Sequence, residues 1–236
     1  MQTEDLIFSA AGQTLAGTRV LPSAKASSTV LTLHGLGATA TRHSIRYVLD
    51  PLALNGHGSL CFEFSGNGDS SGVLNEATLG QRRYEALSAA RLLTESIPPV
   101  LIGTSMGGHL AASLVPELQP RALILFCPAA YPQFATELPF DENFTRPGRY
   151  DDSPAYQRIT AFTGNLLIVA ARNDQIVPAE VVEGYLDHAQ LARNKEIIWL
   201  EGCDHFIHRW LPYQNELNTQ IQQAILSAVT CSAPPN

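Results

Sequence analysis

Ser105, at the centre of the pentapeptide Gly103-Thr104-Ser105-Met106-Gly107, is the residue of this chain best suited to chemistry. An apolar run precedes the pentapeptide, and a stretch of small residues typical of a helix follows it. A tight turn between a strand and a helix exposes the serine hydroxyl beside the N–H groups that begin the helix. The pattern therefore indicates a serine nucleophile, although a glycine-rich turn with an exposed serine has the same pattern.

A serine hydroxyl is a weak nucleophile, so it needs a base that removes its proton and a carboxylate that orients the base. Asp174 follows the apolar run that ends at Ala171, and His205 follows the run that ends at Leu200. Both residues come shortly after a predicted strand, as Ser105 does. We predict Asp174 as the orienting acid, although aspartate is also common in ordinary turns.

Two other histidines compete with His205 for the role of the base. His208 lies three residues later and would turn away from the loop if a helix begins at Phe206. His109 follows Ser105 by one helical turn and could line a pocket, but no acid is in place to orient it. The order of the residues thus favours His205.

Two backbone N–H groups are needed to stabilise the negative charge that develops on a substrate oxygen. Met106 begins the helix predicted after Ser105, where free N–H groups and the helix dipole favour an anion. The second donor is expected in the loop His34-Gly35-Leu36-Gly37, and Leu36 N–H is the candidate. A plain turn is the alternative interpretation of this loop.

Short apolar runs alternate with helical stretches along the chain, and this order is what would position the candidate residues. Continuous apolar runs flanked by helices indicate a parallel sheet covered on both faces. Open α/β sheets bind ligands at the edge where such strands end. We predict a single domain over residues 1–236. The predicted strands are 6–8, 14–20, 30–33, 60–64, 99–102, 122–127, 166–171 and 196–200, the first two forming a hairpin, and the main predicted helices are 39–54, 79–97, 179–191 and 213–229.

Residues 128–163 have no regular period and are rich in aromatic side chains. A loop of this length inside a compact domain is usually functional, so we predict a lid above the sheet. Phe134, Phe140 and Phe144 are predicted to bind an apolar acyl or aryl group of a substrate. The other interpretation is that the aromatic side chains close a small core beneath a long loop.

Three arginines in the same segment, Arg146, Arg149 and Arg158, could meet an anionic group of a substrate, but a role at the surface is favoured. A short lid leaves little room for long acyl chains. The segment therefore favours small or medium substrates.

The composition of the chain argues against several classes of function. Hydrophobic residues make up 45% and charged residues 16% of the 236 positions, as expected for a globular α/β protein. The net charge of -7 argues against nucleic acid and anionic membrane surfaces as partners. No apolar stretch is long enough to span a bilayer, and the first residues do not form a signal-peptide pattern. We therefore expect a cytoplasmic protein.

The spacing of possible metal ligands indicates neither a metal nor a disulfide framework. Cys61, Cys127, Cys203 and Cys231 are scattered, and the first two lie in apolar runs where cysteine is usually a core residue. No histidine or carboxylate pair near Ser105 has ligand spacing, so we predict no metal and no other cofactor. The oligomeric state stays open, with a homodimer as one candidate.

Five segments of the chain resemble the α/β-hydrolase family, and the resemblance runs from residue 29 to residue 229. It implies an α/β-hydrolase fold, in which a mostly parallel central sheet has helices on both faces and a short lid insertion. Within the family, the turn at 65–72 and the modest lid are similar to feruloyl (cinnamoyl) esterases and to monoglyceride-lipase-like and serine-aminopeptidase-like members. The segments are LTLHGLG at 31–37, FEFSGNGDSSG at 62–72, LIGTSMGG at 101–108, ARNDQIVP at 171–178 and EGCDHF at 201–206.

The resemblance implies a complete set of roles: Ser105 as nucleophile, His205 as base, Asp174 as orienting acid, and Leu36 and Met106 as oxyanion-hole donors. It implies a serine esterase that cleaves small to medium carboxylic esters through an acyl-enzyme. A thioesterase, an aminopeptidase or an acyltransferase could use the same three side chains, and a non-catalytic ligand-binding member is a further alternative.

Three residues depart from the pattern of the family. Thr104 stands where many relatives have histidine, and Glu63 and Ser65 replace residues that are common in the turn after the fourth predicted strand. These departures concern the subfamily and leave the prediction of the catalytic residues unchanged.

Overall fold

The computed structural model describes residues 1–94, 96–141, 144 and 150–230. Within these ranges the chain forms eight strands and eight α-helices. The strands are β1 (Gln2–Ala10), β2 (Gln13–Leu21), β3 (Ser28–Leu33), β4 (Gly58–Phe62), β5 (Val100–Thr104), β6 (Ala122–Phe126), β7 (Asn165–Ala171) and β8 (Asn194–Leu200). The helices are α1 (Arg46–Leu54), α2 (Leu79–Ala90), α3 (Met106–Ser113), α4 (Val115–Leu118), α5 (Pro154–Ile159), α6 (Ala179–His188), α7 (Ile207–Trp210) and α8 (Asn215–Thr230).

One sheet contains all eight strands, in the order β1-β2-β4-β3-β5-β6-β7-β8. Strands β3 to β8 are parallel to their neighbours within this group, whereas β2 runs antiparallel to β4. The mostly parallel α/β sheet predicted from the sequence is therefore confirmed. Because β3, β5, β7 and β8 are parallel, the loops that follow them leave the sheet at the same edge.

The predicted hairpin at the start of the chain is confirmed, and its strands are longer than predicted. β1 and β2 pair from Gln2 opposite Leu21 to Ala10 opposite Gln13. The two residues between the strands, Ala11 and Gly12, have φ values of 50° and 75°. Positive φ at both central residues gives the turn a twist that matches the twist of the flanking strands.

Two helices, α1 and α2, are much shorter than the sequence predicted. The predicted helix 39–54 begins only at Arg46, because the preceding residues form hydrogen-bonded turns and Arg42 is held by its ion pairs with Glu63 and Asp69. The predicted helix 79–97 ends at Ala90, and the chain then turns so that Thr94 N–H donates to Ser28 in β3. Tertiary hydrogen bonds thus override the local helical pattern at both ends.

A proline inside α1 is compensated by a distant helix. Pro51 has no N–H and cannot donate to the carbonyl of Tyr47, four residues earlier. The side-chain amide of Gln222 in α8 donates to this carbonyl at 3.0 Å. Helix α1 therefore continues past Pro51, and α8 is fixed against it.

Both packing and hydrogen bonds join the described residues of the segment 128–163 to the domain. Helix α5 packs against α3 and α6, and the Tyr156 hydroxyl donates to the Val181 carbonyl. Phe162 is fully buried in the core, whereas Phe134 is 59% exposed. The predicted lid character of this segment stays a prediction. None of the helices in the described ranges is long and apolar enough to cross a membrane.

Candidate active site

Ser105 occupies a strained turn between β5 and α3. Its φ and ψ are 52° and -113°, a conformation that side-chain-bearing residues rarely adopt. The glycines around it have no room for a side chain, because a Cβ at Gly107 would lie 1.9 Å from the Leu33 carbonyl oxygen and one at Gly103 would lie 2.3 Å from the Gly107 oxygen. The close approach of the backbones of β3, β5 and α3 thus explains the two glycines of the pentapeptide.

The three side chains predicted to act together form one hydrogen-bonded chain. His205 Nε2 lies 3.0 Å from Ser105 Oγ, and His205 Nδ1 lies 2.7 Å from Asp174 Oδ2. Strands β5, β7 and β8 place these residues, which are separated by as many as 100 positions, at the same edge of the sheet. An imidazole that donates to the carboxylate through Nδ1 presents Nε2 as an acceptor to the serine hydroxyl.

The carboxylate of Asp174 is fixed by its own loop. The N–H groups of Ile176 and Val177 each donate to Oδ1 at 2.8 Å. Burial opposes ionisation, but the hydrogen bonds from His205 and from the two N–H groups outweigh it, so the pKa of Asp174 lies below its usual value. The carboxylate is therefore ionised at neutral pH and oriented toward His205.

His208, the competing histidine, is engaged elsewhere. Its Nε2 lies 2.7 Å from Thr104 Oγ1, and its Nδ1 lies 2.9 Å from the Tyr47 hydroxyl. Burial lowers the pKa of His208 to about 4, so the ring is neutral at pH 7. It links α7 and α1 to the residue before Ser105. His109 is also buried, with its Nδ1 3.4 Å from Tyr131 N.

The loop 34–37 runs alongside Ser105. A Cβ added at Gly35 would lie 3.3 Å from Ser105 Cβ, which shows how closely the two backbones approach. His34 Nδ1 lies 2.8 Å from the Gly35 carbonyl oxygen, and its Nε2 accepts from Phe64 N–H at 3.0 Å. Because a peptide unit is planar and trans, fixing the Gly35 carbonyl also fixes the opposite direction of Leu36 N–H. Met106, the other predicted donor, is the first residue of α3.

The turn 65–72 supports this loop, a role that the sequence analysis missed. Asn67 Nδ2 lies 2.8 Å from the Gly37 oxygen and 3.4 Å from the Ala40 oxygen. Arg42, which follows the loop, forms ion pairs with Glu63 and Asp69 at the base of the turn. A sequence signal for Asn67 exists, since it stands between two glycines in Gly66-Asn67-Gly68. In the structure both glycines have positive φ. Its partners, however, are about 30 residues away in the chain.

Two cavities meet at Ser105, and both are also lined by Leu36, His205 and Phe206. The small chamber, of about 120 Å³, lies on the side of loop 34–37 and residues 39–45. The large chamber, of about 420 Å³, lies on the side of residues 129–135 and of the loop that carries Asp174. Both chambers are therefore open to Ser105.

The predicted substrate-binding aromatics separate into two groups. Phe134 and Phe144 line the large chamber. Phe140 lines neither chamber and packs against Phe144, with ring centroids 4.7 Å apart, and against the guanidinium of Arg82.

Of the three arginines that could meet an anionic group of a substrate, the one in the described ranges is engaged with other residues of the protein. Arg158 donates to the Ser113 carbonyl and pairs with Glu117 at the surface. Arg146 and Arg149 lie outside the described residues.

One group of side chains in the described part has atoms close enough to hold a metal ion: Cys127, Asp174 and His205, within 4.8 Å of one another. The hydrogen bond between Asp174 and His205 already uses two of these atoms. Burial raises the pKa of the Cys127 thiol, which is therefore protonated at neutral pH and a poor ligand. The donor set fits the hydrogen-bonded chain better than a metal site.

Comparison with known proteins defines the family. The model of the alpha/beta hydrolase family matches residues 30–157, more than half of the chain. The chain therefore belongs to the alpha/beta hydrolase family, and the resemblance predicted from the sequence is confirmed.

Two solved structures illustrate the likeness of the fold. Est1E from Butyrivibrio proteoclasticus, solved with bound ferulic acid, is 19% identical with a TM-score of 0.72, and the match covers 95% of this chain and 99% of that chain. Alpha/beta hydrolase domain-containing protein 10 from mouse is 21% identical with a TM-score of 0.67, covering 95% and 99%. At these identities the likeness concerns the fold alone.

A curated relative matches a shorter stretch at higher identity. The mitochondrial palmitoyl-protein thioesterase ABHD10 of Bos taurus is 44% identical over 55 residues. These residues are 23% of this chain and only 18% of the length of that relative.

Proposed function

We propose that this protein is a serine hydrolase that cleaves small to medium carboxylic esters through an acyl-enzyme. The observation that carries the proposal is the hydrogen-bonded chain from Asp174 through His205 to Ser105, with distances of 2.7 Å and 3.0 Å. A chain of this kind at the edge of an α/β sheet suits nucleophilic attack by a serine, because the base and its orienting acid are already in contact.

In the proposed reaction, Ser105 Oγ attacks the ester carbonyl carbon while His205 Nε2 accepts the hydroxyl proton. The N–H groups of Leu36 and Met106 stabilise the negative carbonyl oxygen of the tetrahedral intermediate. The bond to the alkoxide then breaks, and His205 returns the proton to the departing oxygen. Water repeats the sequence on the acyl-enzyme, releasing the acid and restoring Ser105.

The alternative that a specific observation favours is cleavage of thioesters by the same residues. The 55-residue match to a protein named as a palmitoyl-protein thioesterase supports it. A thiolate leaves more readily than an alkoxide, so the same three side chains suffice for both reactions. Aminopeptidase and acyltransferase activity stay open as further alternatives, because the fold does not define the substrate.

The test measures hydrolysis of p-nitrophenyl butyrate by the parent protein and by Ser105→Ala. The variant is expected to lose about 10⁴-fold or more in kcat. Circular dichroism and labelling with a fluorophosphonate probe serve as controls, because a folded, competent parent protein should label and the variant should not. Equal hydrolysis by the two proteins would contradict the proposal. A panel of alkyl esters, acyl-CoA thioesters and aminoacyl anilides then ranks the substrate classes by kcat/KM.

Three further expectations belong to the same proposal. The segment 128–163 acts as a lid, the protein acts in the cytoplasm on a small molecule, and a homodimer is its candidate assembly. Size-exclusion chromatography with light scattering measures the last of these directly.

A further inference from the structure

We propose that Thr104, His208 and Tyr47 form a positioning chain for the nucleophile and its base. The chain fixes the distance between Ser105 Oγ and His205 Nε2, on which removal of the hydroxyl proton depends. His208 is thereby a positioning residue and not a second base. The inference rests on the proposed function and deepens it, because it assigns three more residues to the same site.

The positioning chain runs from β5 through α7 to α1. The Oγ1 of Thr104, the last residue of β5, lies 2.7 Å from His208 Nε2, and the Tyr47 hydroxyl lies 2.9 Å from His208 Nδ1. A neutral imidazole donates a hydrogen bond through one ring nitrogen and accepts one through the other. Both nitrogens of His208 are therefore engaged, and a flip of the ring would break both hydrogen bonds.

Two side-chain hydrogen bonds join the same two segments of the protein. Ser105 bonds to His205, and Thr104, the residue before Ser105, bonds to His208, three residues after His205. The second segment needs this support, because α7 has only four residues and so short a helix is not stable on its own. Fixing His208 therefore also fixes the loop that carries His205.

The ring of Phe126 holds His208 from the side. The two rings meet edge to face, with centroids 4.8 Å apart. Phe126 is also the residue of β6 that pairs with Thr104, and its carbonyl oxygen accepts from Ser105 N–H at 2.9 Å. One residue thus packs against the positioning chain and supports the strained backbone of the nucleophile.

The surroundings of His208 suit positioning better than proton transfer. Its two hydrogen-bond partners in the described part of the chain are hydroxyl groups, whereas His205 has a carboxylate partner. Burial lowers the pKa of His208 to about 4 and raises the pKa of Tyr47, so both side chains are uncharged at neutral pH. A ring with so low a pKa is a poor acceptor for the Ser105 proton.

The chain offers a matched set of variants for the test. Thr104→Val keeps the size of the side chain and removes the hydroxyl, whereas Thr104→Ser keeps the hydroxyl. Tyr47→Phe removes the hydroxyl at the far end, and Tyr47 lines neither chamber, so its effect cannot come from contact with a substrate. Tyr84→Phe, on a side chain of α2 that is 51% exposed, is the control for that substitution.

The first measurement is the hydrolysis of p-nitrophenyl butyrate. We expect kcat to fall about tenfold in Thr104→Val and about threefold in Tyr47→Phe, with KM little changed. Thr104→Ser and Tyr84→Phe should stay near the parent value. The pH at which kcat/KM is half-maximal on the acid side should not move, because His205 remains the base. A shift of that pH in Tyr47→Phe would assign proton transfer to His208 and overturn the proposal.

The double variant Thr104→Val/Tyr47→Phe tests whether the two hydroxyls act through one chain. If they do, its kcat should equal that of Thr104→Val alone, because the chain is already broken there. A fall of about thirtyfold, the product of the two single effects, would show two independent structural effects and overturn the proposal.

The rate at which a fluorophosphonate probe labels Ser105 separates this inference from the proposed function. Labelling reports the reactivity of the hydroxyl and needs no ester substrate. If no ester is hydrolysed but labelling slows in Thr104→Val and in Tyr47→Phe, with circular dichroism unchanged, the proposed function fails and the positioning chain stands. If esters are hydrolysed and both variants keep the parent kcat and labelling rate, the positioning chain fails alone.

Discussion

Hydrogen bonds hold the chain on one side of Ser105, whereas aromatic packing forms much of the wall on the other side. On the first side, loop 34–37 is tied to β4 and to the turn 65–72 by His34 and Asn67. On the second side, Tyr131 and Phe144 contact each other with ring centroids 5.1 Å apart. Directional bonds fix backbone donors within tenths of an ångström, and apolar packing tolerates changes of shape.

This difference indicates a division of labour within the site. Hydrogen bonds fix the groups that the proposed chemistry needs, namely loop 34–37 on the first side and Asp174 within its own loop, whereas the aromatic side chains of the second side are expected to form the surface that selects the substrate. Substitutions of the hydrogen-bonded groups should therefore lower kcat for every ester. Substitutions of the aromatic side chains should change which ester is preferred.

The largest effect is expected from Asp174→Asn. The amide would change the hydrogen bonding of His205 Nδ1, so the ring would no longer present Nε2 as the acceptor of the Ser105 proton. We expect kcat to fall about 10⁴-fold for short and long esters alike, as measured on a p-nitrophenyl ester series. Glu201→Gln is the control, because Glu201 is an exposed residue that forms an ion pair with Arg172. A loss confined to long esters would break the division of labour.

The next largest effect is expected from Asn67→Ala, which removes the donor that fixes the Gly37 carbonyl. Loosening loop 34–37 should misplace Leu36 N–H and lower kcat by about tenfold to a hundredfold. KM should change little, and a boronic acid that mimics the tetrahedral intermediate should bind more weakly by a similar factor.

Ser71→Ala is the matched control, because Ser71 lies in the same turn but bonds to Gln13 and Thr14, away from the loop. An Asn67→Ala protein that kept the parent kcat and the parent affinity for the boronic acid would show that the turn does not position the loop.

A smaller effect concerns stability in acid. Burial lowers the pKa of both His34 and His208 to about 4, below the value near 6.5 of an unfolded chain. The unfolded state therefore binds more protons below pH 6.5, and the free energy of unfolding should fall as the pH decreases from 6.5 toward 4. From pH 7.5 to 5, each ring should contribute about 2 kcal/mol of this loss.

Urea unfolding of His208→Gln at the two pH values measures the contribution of that ring. The variant should lose stability at pH 7.5 but show a shallower decline with acid, whereas His43→Gln, on an exposed side chain, should follow the parent curve. An unchanged slope in His208→Gln would contradict the neutral, buried state of the ring.

The parts of the fold and site that could be predicted from the sequence are those encoded by neighbouring residues. The apolar runs identified the central strands, and the positions of Ser105, Asp174 and His205 after three of these strands predicted that they would meet. The lengths of α1 and α2 could not be predicted, because contacts with the turn 65–72 and with β3 decide where they begin and end. The roles of Asn67 and Gln222 also depend on partners distant in sequence.

The smallest effect is expected from Phe134→Ala, at the aromatic side. Phe134 lines the large chamber but is 59% exposed, so its removal should change the free energy of unfolding by no more than about 0.5 kcal/mol. Hydrolysis of acetate esters should stay within about twofold, and that of decanoate esters should fall by about threefold, because only a long chain reaches the ring. Phe140→Ala is the informative contrast, since Phe140 is 7% exposed and lines neither chamber. It should cost about 3 kcal/mol of stability while preserving the acyl-length profile. If Phe140→Ala shifted that profile and Phe134→Ala did not, the surface that selects the acyl group would lie beneath the aromatic layer rather than within the chamber.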